Sequence, residues 1–177
     1  MNLRIVLLGL AGCALTSKSP PLDIHYYAPQ TSEVVPKSEP KEIKIRLGRV
    51  FSGSHLRTRI AYRASPIEIE FYETRRWTEP PEAFVRRALE RALIGRGVLV
   101  TGGKALKLDV EVLGFEEVRS PQVARVSLRY MLIDDRVVVA SGVVEVERPA
   151  TQGFASFVTA LGAAIDEACA RLVEEVL

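Results

Sequence analysis

Three runs of alternating apolar and polar residues follow one another along the chain, and they constrain its fold more than any other feature. They cover residues 106–112, 124–132 and 136–148. An alternation of period two is typical of a β-strand with one buried and one exposed face. The connections between the runs are too short for a crossover helix, so neighbouring strands must be antiparallel. We predict a tight turn at Asp134-Asp135 and a β-bulge at Gly142, because a glycine inside a strand often marks one.

Helical periodicity predicts two helices. The first begins at Thr78 or Glu79, carries prolines in its first turn and ends at Gly95, where glycine favours the cap. The second follows Pro149 and carries the longest apolar stripe of the chain, over residues 154–176. A stripe of that length must be buried against another element.

Three shorter strands are predicted upstream, at residues 42–50, 59–63 and 67–72. The last of them ends at a break over residues 74–76, just before Trp77. A sheet and a pair of helices that each have one apolar face bury those faces against each other. We therefore predict an α+β, two-layer domain, in which two helices pack on one face of a largely antiparallel sheet.

The N-terminus has the layout of a lipoprotein signal. Arg4 precedes a short apolar run that ends in Leu10-Ala11-Gly12-Cys13, a pattern that resembles the bacterial lipobox. The run is too short to span a bilayer, and in a lipobox the cysteine thiol accepts fatty acyl (palmitoyl) chains. An ordinary secretory signal, or a short buried strand that contains cysteine, is the alternative. The predicted division is a signal peptide at 1–12, a lipidated cysteine with a flexible tether at 13–41 and a globular domain at 42–177.

The segment after Cys13 is rich in serine, proline, lysine and glutamate and lacks helical periodicity, which predicts an extended tether. Several acyl chains together hold a protein stably at a membrane. Ala14, in place of the aspartate associated with inner-membrane retention, favours the outer membrane and a domain that faces the periplasm. Within the tether, Tyr26 and Tyr27 either dock on the sheet edge or helix, or contact a partner.

A second aromatic candidate lies at the corner between the third predicted strand and the first helix, where Trp77 follows Arg76. A buried ring would fix the corner to the core, whereas an exposed ring would form a binding hot spot with the arginine. We name Trp77, Arg76, Tyr26 and Tyr27 as the candidate partner-binding residues.

The sequence lacks the residue sets that catalysis and metal binding require. His25 and His55 lie in the tether and in a loop, and Cys13 and Cys169 form no CxxC or Cys/His cluster. A net charge of +2, with interspersed signs, does not favour a nucleic-acid partner. We expect no enzymatic activity, no cofactor and no metal.

A set of short motifs carries a family resemblance. Its residues span the strand, corner and first helix: Leu56, Ile60, Tyr62, Arg63, Tyr72, Arg76, Trp77, Glu79 and Pro80. With Tyr26-Tyr27 after the cysteine, the pattern resembles the auxiliary lipoprotein component of ABC-type transport systems. These are the envelope lipoproteins that accompany MCE-domain lipid transporters in Gram-negative bacteria. The chain departs from that pattern at residues 50–53, where such proteins usually have a proline.

The resemblance implies an accessory lipoprotein without catalysis, held by acylated Cys13 at the outer membrane. Its partners would be the MCE-domain subunit and the ABC permease and ATPase, with lipid as a further candidate ligand and a homo-oligomer as an open arrangement. A structural or outer-membrane assembly lipoprotein without a transport role is the alternative function.

Overall fold

The computed structural model describes residues 21–32, 39, 42–151 and 153–177. The predicted signal peptide and Cys13 lie outside these described residues. The strands are β1 (His25–Tyr27), β2 (Ile45–Ser52), β3 (Arg59–Ser65), β4 (Glu68–Trp77), β5 (Leu106–Arg119), β6 (Gln122–Asp134) and β7 (Val137–Pro149). The helices are α1 (Pro81–Gly95) and α2 (Phe154–Glu175).

The sheet is organised around β5. One edge of β5 pairs antiparallel with β6, and β7 continues this meander. The other edge pairs in parallel with β2 in its first half and with β3 in its second half. β4 pairs antiparallel with β3, and β1 adds to β4 in parallel, so the order is β1-β4-β3-β5-β6-β7 with β2 beside β5. The sheet is mixed and its longest pairings are antiparallel, which confirms the α+β prediction.

Both helices cover the same face of the sheet and pack against each other, α1 over β2 and β5 and α2 over β6 and β7. The apolar residues of the alternating runs and the stripes of both helices form one core. Trp77, Phe84, Phe115 and Phe157 lie together at its centre, and the Trp77 and Phe115 rings meet edge to face at 5.4 Å. No described helix combines the length and the apolar character that crossing a bilayer requires.

The end of β4 differs from the sequence prediction. The strand continues through Thr74–Arg76 to Trp77, so the predicted end of the strand there is wrong, and the irregularity is instead a register shift in the pairing with β3, between Phe71 and Arg76. Long-range pairing outweighs the local composition: the Trp77 N–H donates to the Thr58 carbonyl oxygen at 2.7 Å, and β1 pairs alongside the same residues.

The N-cap of helix α1 lies one residue after the latest predicted position, Glu79. Pro80 is the N-cap, in an extended conformation and without a side-chain cap, and Pro81 is the first helical residue. Proline suits this position because its missing N–H would be unpaired in any case. Glu79 instead forms a bidentate ion pair with Arg87, with N–O distances of 2.8 and 3.0 Å, and this interaction lowers the pKa of Glu79.

The β6–β7 hairpin turns one residue later than predicted. Its two linking residues are Asp135 and Arg136, with φ angles of 43° and 79°, while Asp134 still belongs to β6. Two successive left-handed residues match the right-handed twist of the flanking strands. Arginine is uncommon in that conformation, which is why the sequence did not indicate it.

The predicted bulge at Gly142 is also misplaced. The β6–β7 register shifts between Leu132 and Ile133, opposite Val139. Gly142 has a different role, because a Cβ atom there would lie 2.8 Å from the Tyr130 hydroxyl oxygen. The glycine leaves the space that the Tyr130 ring occupies.

Candidate partner-binding surface

The structure brings the candidate partner-binding residues together. The parallel register of β1 and β4 sets Tyr26 opposite Arg76 and Tyr27 opposite Trp77. The Thr78 N–H donates to the Tyr27 carbonyl oxygen at 2.9 Å, which extends the pairing to the start of the corner. Because successive strand residues face opposite sides of a sheet, these residues form one inner pair and one outer pair.

The inner pair lies on the helix side. Trp77 is 1% exposed, so of the two alternatives for its ring the structure shows the buried one. The Tyr27 ring meets the Phe154 ring edge to face at 4.7 Å, which confirms that the tether docks at this tyrosine. The Arg75 guanidinium lies 3.9 Å from the centre of the Phe154 ring. The indole of Trp77 therefore offers no surface to a partner and instead fixes the corner to the core.

The outer pair lies on the opposite face of the sheet. Arg76 donates to the carbonyl oxygens of Tyr72 and Arg75 at 2.9 and 2.8 Å, so its guanidinium is held against the backbone. Tyr26 is 65% exposed and belongs to an edge strand. Tyr26 thus presents the free aromatic ring of the group, while its binding to a partner stays a prediction.

After β1 the chain crosses helix α2 in close contact. The Gln30 carbonyl oxygen approaches Gly162 so closely that a Cβ atom on this glycine would lie only 2.0 Å away. The Ser32 N–H donates to the Asp166 carboxylate at 2.6 Å, and Asp166 also pairs with Arg91 of α1 at 3.5 Å. This part of the predicted tether therefore belongs to the folded domain.

A cluster of tyrosine, glutamate and arginine that the sequence did not single out lies at one end of the helix-facing side. The Tyr62 hydroxyl donates to Glu70, and the Tyr72 hydroxyl donates to the buried Glu117. The Arg119 guanidinium lies 3.4 Å from the centre of the Tyr62 ring. The cluster depends on parallel β3–β5 pairing, which sets Tyr62 opposite Glu117 and which no local pattern indicates.

The electrostatics of this cluster favour a structural role. The hydrogen bond to Glu70, with burial, raises the pKa of Tyr62 above its ordinary value. Burial and the hydrogen bond to Glu117 raise the pKa of Tyr72 in the same way. Both hydroxyls therefore keep their protons at neutral pH, and a general base or nucleophile would need the opposite shift.

Three other side chains that could in principle take part in a reaction are the Ser52 hydroxyl, the His25 imidazole and the Cys169 thiol. The Ser52 hydroxyl donates to Glu82 at 2.5 Å, and His25 lies 3.3 Å from the exposed carboxylate of Asp23. Cys169 is fully buried, and burial raises the pKa of its thiol. No group of histidine, cysteine and acidic side chains able to hold a metal occurs in the part of the chain that the structure describes.

The residues that carry the family resemblance determine the fold of the β3–β4–α1 unit. Leu56 and Ile60 are buried in the same hydrophobic core as Trp77. Arg63 pairs with the buried Glu116 at 2.9 Å on the other face of the sheet. The residues of the motif thus determine how this unit packs, and they do not include a set of catalytic side chains.

A family match covers most of the folded domain. The family described as ABC-type transport auxiliary lipoprotein component matches residues 27–173. The chain belongs to this family. The matched range begins at Tyr27, in β1, and ends near the C-terminus of α2. Membership implies an auxiliary component of ABC-type transport, non-catalytic by its description and associated with the cell envelope as a lipoprotein.

Solved structures share the fold of this family member. Protein XCC0632 from Xanthomonas campestris, of the family designated DUF330, superposes with a TM-score of 0.71 at 23% identity over 86% of this chain and 95% of that one. An uncharacterized protein superposes at 0.68 with 17% identity, over 86% and 97% of the two chains. The hypothetical protein CT253 from Chlamydia trachomatis reaches 0.52 at 11% identity, over 76% and 96%. No curated protein matches the family member in sequence.

Proposed function

We propose that this protein is an accessory lipoprotein of an MCE-type lipid transport system. Acyl chains on Cys13 hold it at the outer membrane, and its domain faces the periplasm. It acts as a scaffold or docking subunit that meets the MCE-domain subunit, and through it the ABC permease and ATPase, without doing chemistry itself. The observation that carries the proposal is the family match over residues 27–173.

The architecture supports a docking role. The tyrosine hydroxyls of the Tyr62 and Tyr72 cluster are kept protonated and the Cys169 thiol is buried, so these groups serve the fold. Tyr26, in contrast, exposes its ring on a strand with one open edge. An open strand edge next to an aromatic side chain is a common surface for adding a partner's strand.

The first experiment tests the anchor. Mass spectrometry of the mature protein should find acyl chains on Cys13, and the protein should fractionate with the outer membrane. The Cys13→Ala variant should carry no acyl chain and leave the membrane fraction. Cys169→Ala is the matched control and should keep both the acyl mass and the location. An unmodified residue 13 in the wild-type protein would show that the anchoring is wrong.

The second experiment tests the partner. Affinity purification of the full-length protein from detergent-solubilised envelopes should recover an MCE-domain subunit. Tyr26→Ala should reduce this recovery, because its exposed ring would lie in the contact. Recovery of an outer-membrane assembly protein and no MCE-domain subunit would favour the alternative, a lipoprotein of outer-membrane assembly.

A further inference from the structure

Most described lysine and arginine side chains have a carboxylate, a carbonyl oxygen or an aromatic ring as a partner. Five lysine and arginine side chains of the described residues have no such partner: Lys44, Arg46, Arg57, Lys104 and Arg136. All but Arg57 lie around one end of the sheet, where β2 and β5 begin and β6 turns into β7. Cations gathered without ion-pair partners repel one another, so such a cluster is a candidate site for an anionic group.

Three of the four clustered cations line one cavity. It has a volume of about 650 Å³ and lies between the 103–105 loop and the β6–β7 hairpin. Arg46 enters from β2, Lys104 from the loop and Arg136 from the hairpin turn. Ligand sites in proteins commonly have volumes of about 300–1,000 Å³, so the cavity is large enough for a small polar group.

The cations of the cavity suit a phosphate ester. Arginine guanidinium groups bind phosphate through paired N–H donors, and a lysine ammonium adds a point charge. A fourth cation, Lys107, also lines the cavity but already pairs with Asp109 at 2.8 Å. Arg46, Lys104 and Arg136 are therefore the cations available to a ligand.

Carboxylates in the same cavity restrict the ligand further. Asp134 and Asp135 line it beside the cations, and no ion pair involves either of them among the described residues. Carboxylates repel a simple polyanion, but they accept hydrogen bonds from an ammonium group. Both signs of charge within one cavity thus fit a zwitterion with a phosphate and an amine.

Exposed apolar side chains lie near this cavity. Val137, Val138 and Val139 follow directly after Arg136 and are 64%, 51% and 53% exposed. Ile43 is exposed as well and lines an adjoining depression that shares Lys104 with the cavity. Val137 and Val138 pair with Asp134 and Ile133 of β6, so they face opposite sides of the sheet, and an apolar group can follow the residues of one side only. A polar cavity near exposed apolar residues matches a ligand that has both a charged and an apolar part.

We propose that this cavity binds the head group of an amine-containing phospholipid of the phosphatidylethanolamine type. The phosphate lies among Arg46, Lys104 and Arg136, the ammonium faces the aspartates, and the acyl chains lie against the exposed apolar residues on the same side of the sheet. This inference rests on the proposed function, which makes a lipid the relevant phosphate ester, and it adds the lipid class and the residues that recognise it.

Native mass spectrometry of the full-length lipoprotein, released from a mild detergent, tests the inference. Titration with phosphatidylethanolamine should give a saturable adduct of one lipid per chain. The triple variant Arg46→Gln/Lys104→Gln/Arg136→Gln should weaken this binding at least about tenfold, which corresponds to about 1.4 kcal/mol. Arg57→Gln is the matched control, since it removes the unpartnered cation that lies elsewhere, and it should leave binding unchanged.

Two competitions define the ligand. Phosphatidylglycerol lacks the amine and should bind more weakly than phosphatidylethanolamine, and Asp134→Asn/Asp135→Asn should reduce that preference. Inorganic phosphate should compete poorly, because it has neither the amine nor the acyl chains. Equal binding of inorganic phosphate, or an equal loss of lipid binding in Arg57→Gln, would overturn the proposal.

The experiments distinguish a failure of the lipid-site proposal from a failure of the proposed transport function. A protein that recovers its MCE-domain subunit and forms no saturable lipid adduct contradicts the lipid site alone. A protein that binds the lipid through these residues and recovers no transporter contradicts the transport role alone. Circular dichroism of each variant establishes that a loss of binding does not reflect unfolding.

Discussion

The contact between the N-terminal segment and helix α2 predicts that Gly162→Ala destabilises the protein. Alanine favours a helix interior over glycine by about 0.8–1.0 kcal/mol, so the helix alone would gain stability. The tertiary contact has the opposite sign. A Cβ atom at residue 162 would lie 2.0 Å from the Gln30 carbonyl oxygen, far inside an ordinary contact of 3.4–4 Å. The substitution therefore separates local propensity from tertiary packing by the sign of its effect.

The magnitude follows from what must move. The atom that the new methyl meets belongs to the backbone, so residues around Gln30 must shift by more than about 1 Å, and overpacking of this kind typically costs about 1–3 kcal/mol. The shift also stretches the 2.6 Å hydrogen bond from the Ser32 N–H to Asp166, and a bond to a charged acceptor contributes about 1.5–3 kcal/mol where it is shielded. Asp166 is partly exposed, so the lower end applies. Overpacking and the weakened bond together cost about 2.5–4.5 kcal/mol, and after subtraction of the helical gain we expect the free energy of unfolding to fall by about 1.5–3.5 kcal/mol.

Urea unfolding followed by circular dichroism measures this change, and hydrogen exchange over residues 24–32 localises it. Exchange in this segment should accelerate in Gly162→Ala while the core strands stay protected. Ala163→Gly, at the exposed neighbouring position of the same helix, calibrates the propensity and should lose about 1 kcal/mol. A Gly162→Ala protein that is more stable than wild type, with unchanged exchange over residues 24–32, would refute the docked segment.

Further expectations concern a buried carboxylate, the tether tyrosines and the buried thiol. Burial opposes ionisation of Asp109, but its bonds to Lys107 and to a backbone N–H outweigh burial and lower its pKa. Asp109→Asn should therefore lower the free energy of unfolding by about 1–2 kcal/mol at pH 7. In urea titrations the difference between variant and wild type should shrink as the pH falls below about 3.9, the ordinary pKa of an aspartate. Tyr27→Ala should lower the free energy of unfolding by about 1–2 kcal/mol through loss of its aromatic contact, whereas Tyr26→Ala should change it by less than about 0.5 kcal/mol; equal losses would contradict the inner and outer assignment. Cys169 should resist a maleimide reagent in the native state and react fully in urea, and rapid native labelling would show that the site opens readily.

The strands and helices of this fold can be predicted from local sequence patterns, because each pattern shows which residues close in sequence share one face of the element. The alternation in β6 places Ala124, Val126, Leu128, Tyr130 and Leu132 on one side, and all of them are buried in the structure. The same reasoning located α2. In these places the local pattern and the tertiary packing agree.

The parallel pairings were beyond local reasoning, because strand neighbours are chosen by contacts far apart in the sequence. β1 is the clearest case: His25–Tyr27 is too short to form a strand unaided and is ordered by β4 and Phe154. The proposed lipid site is a similar case, since it joins residues 46, 104 and 136 from separate elements. The sequence shows each of these cations but not their common cavity.

The docking of β1 limits how far the domain can stand from the bilayer if Cys13 carries the lipid. A tether that extended without contacts from Cys13 to Lys41 would have a length of about 95–100 Å when fully stretched. Because His25 is paired with Arg75 in the sheet, only the chain from Cys13 to His25 can separate the lipid from the domain, and its fully stretched length is about 40 Å. A lipid on Cys13 would therefore keep the edge of the sheet at β1 within about 40 Å of the membrane surface.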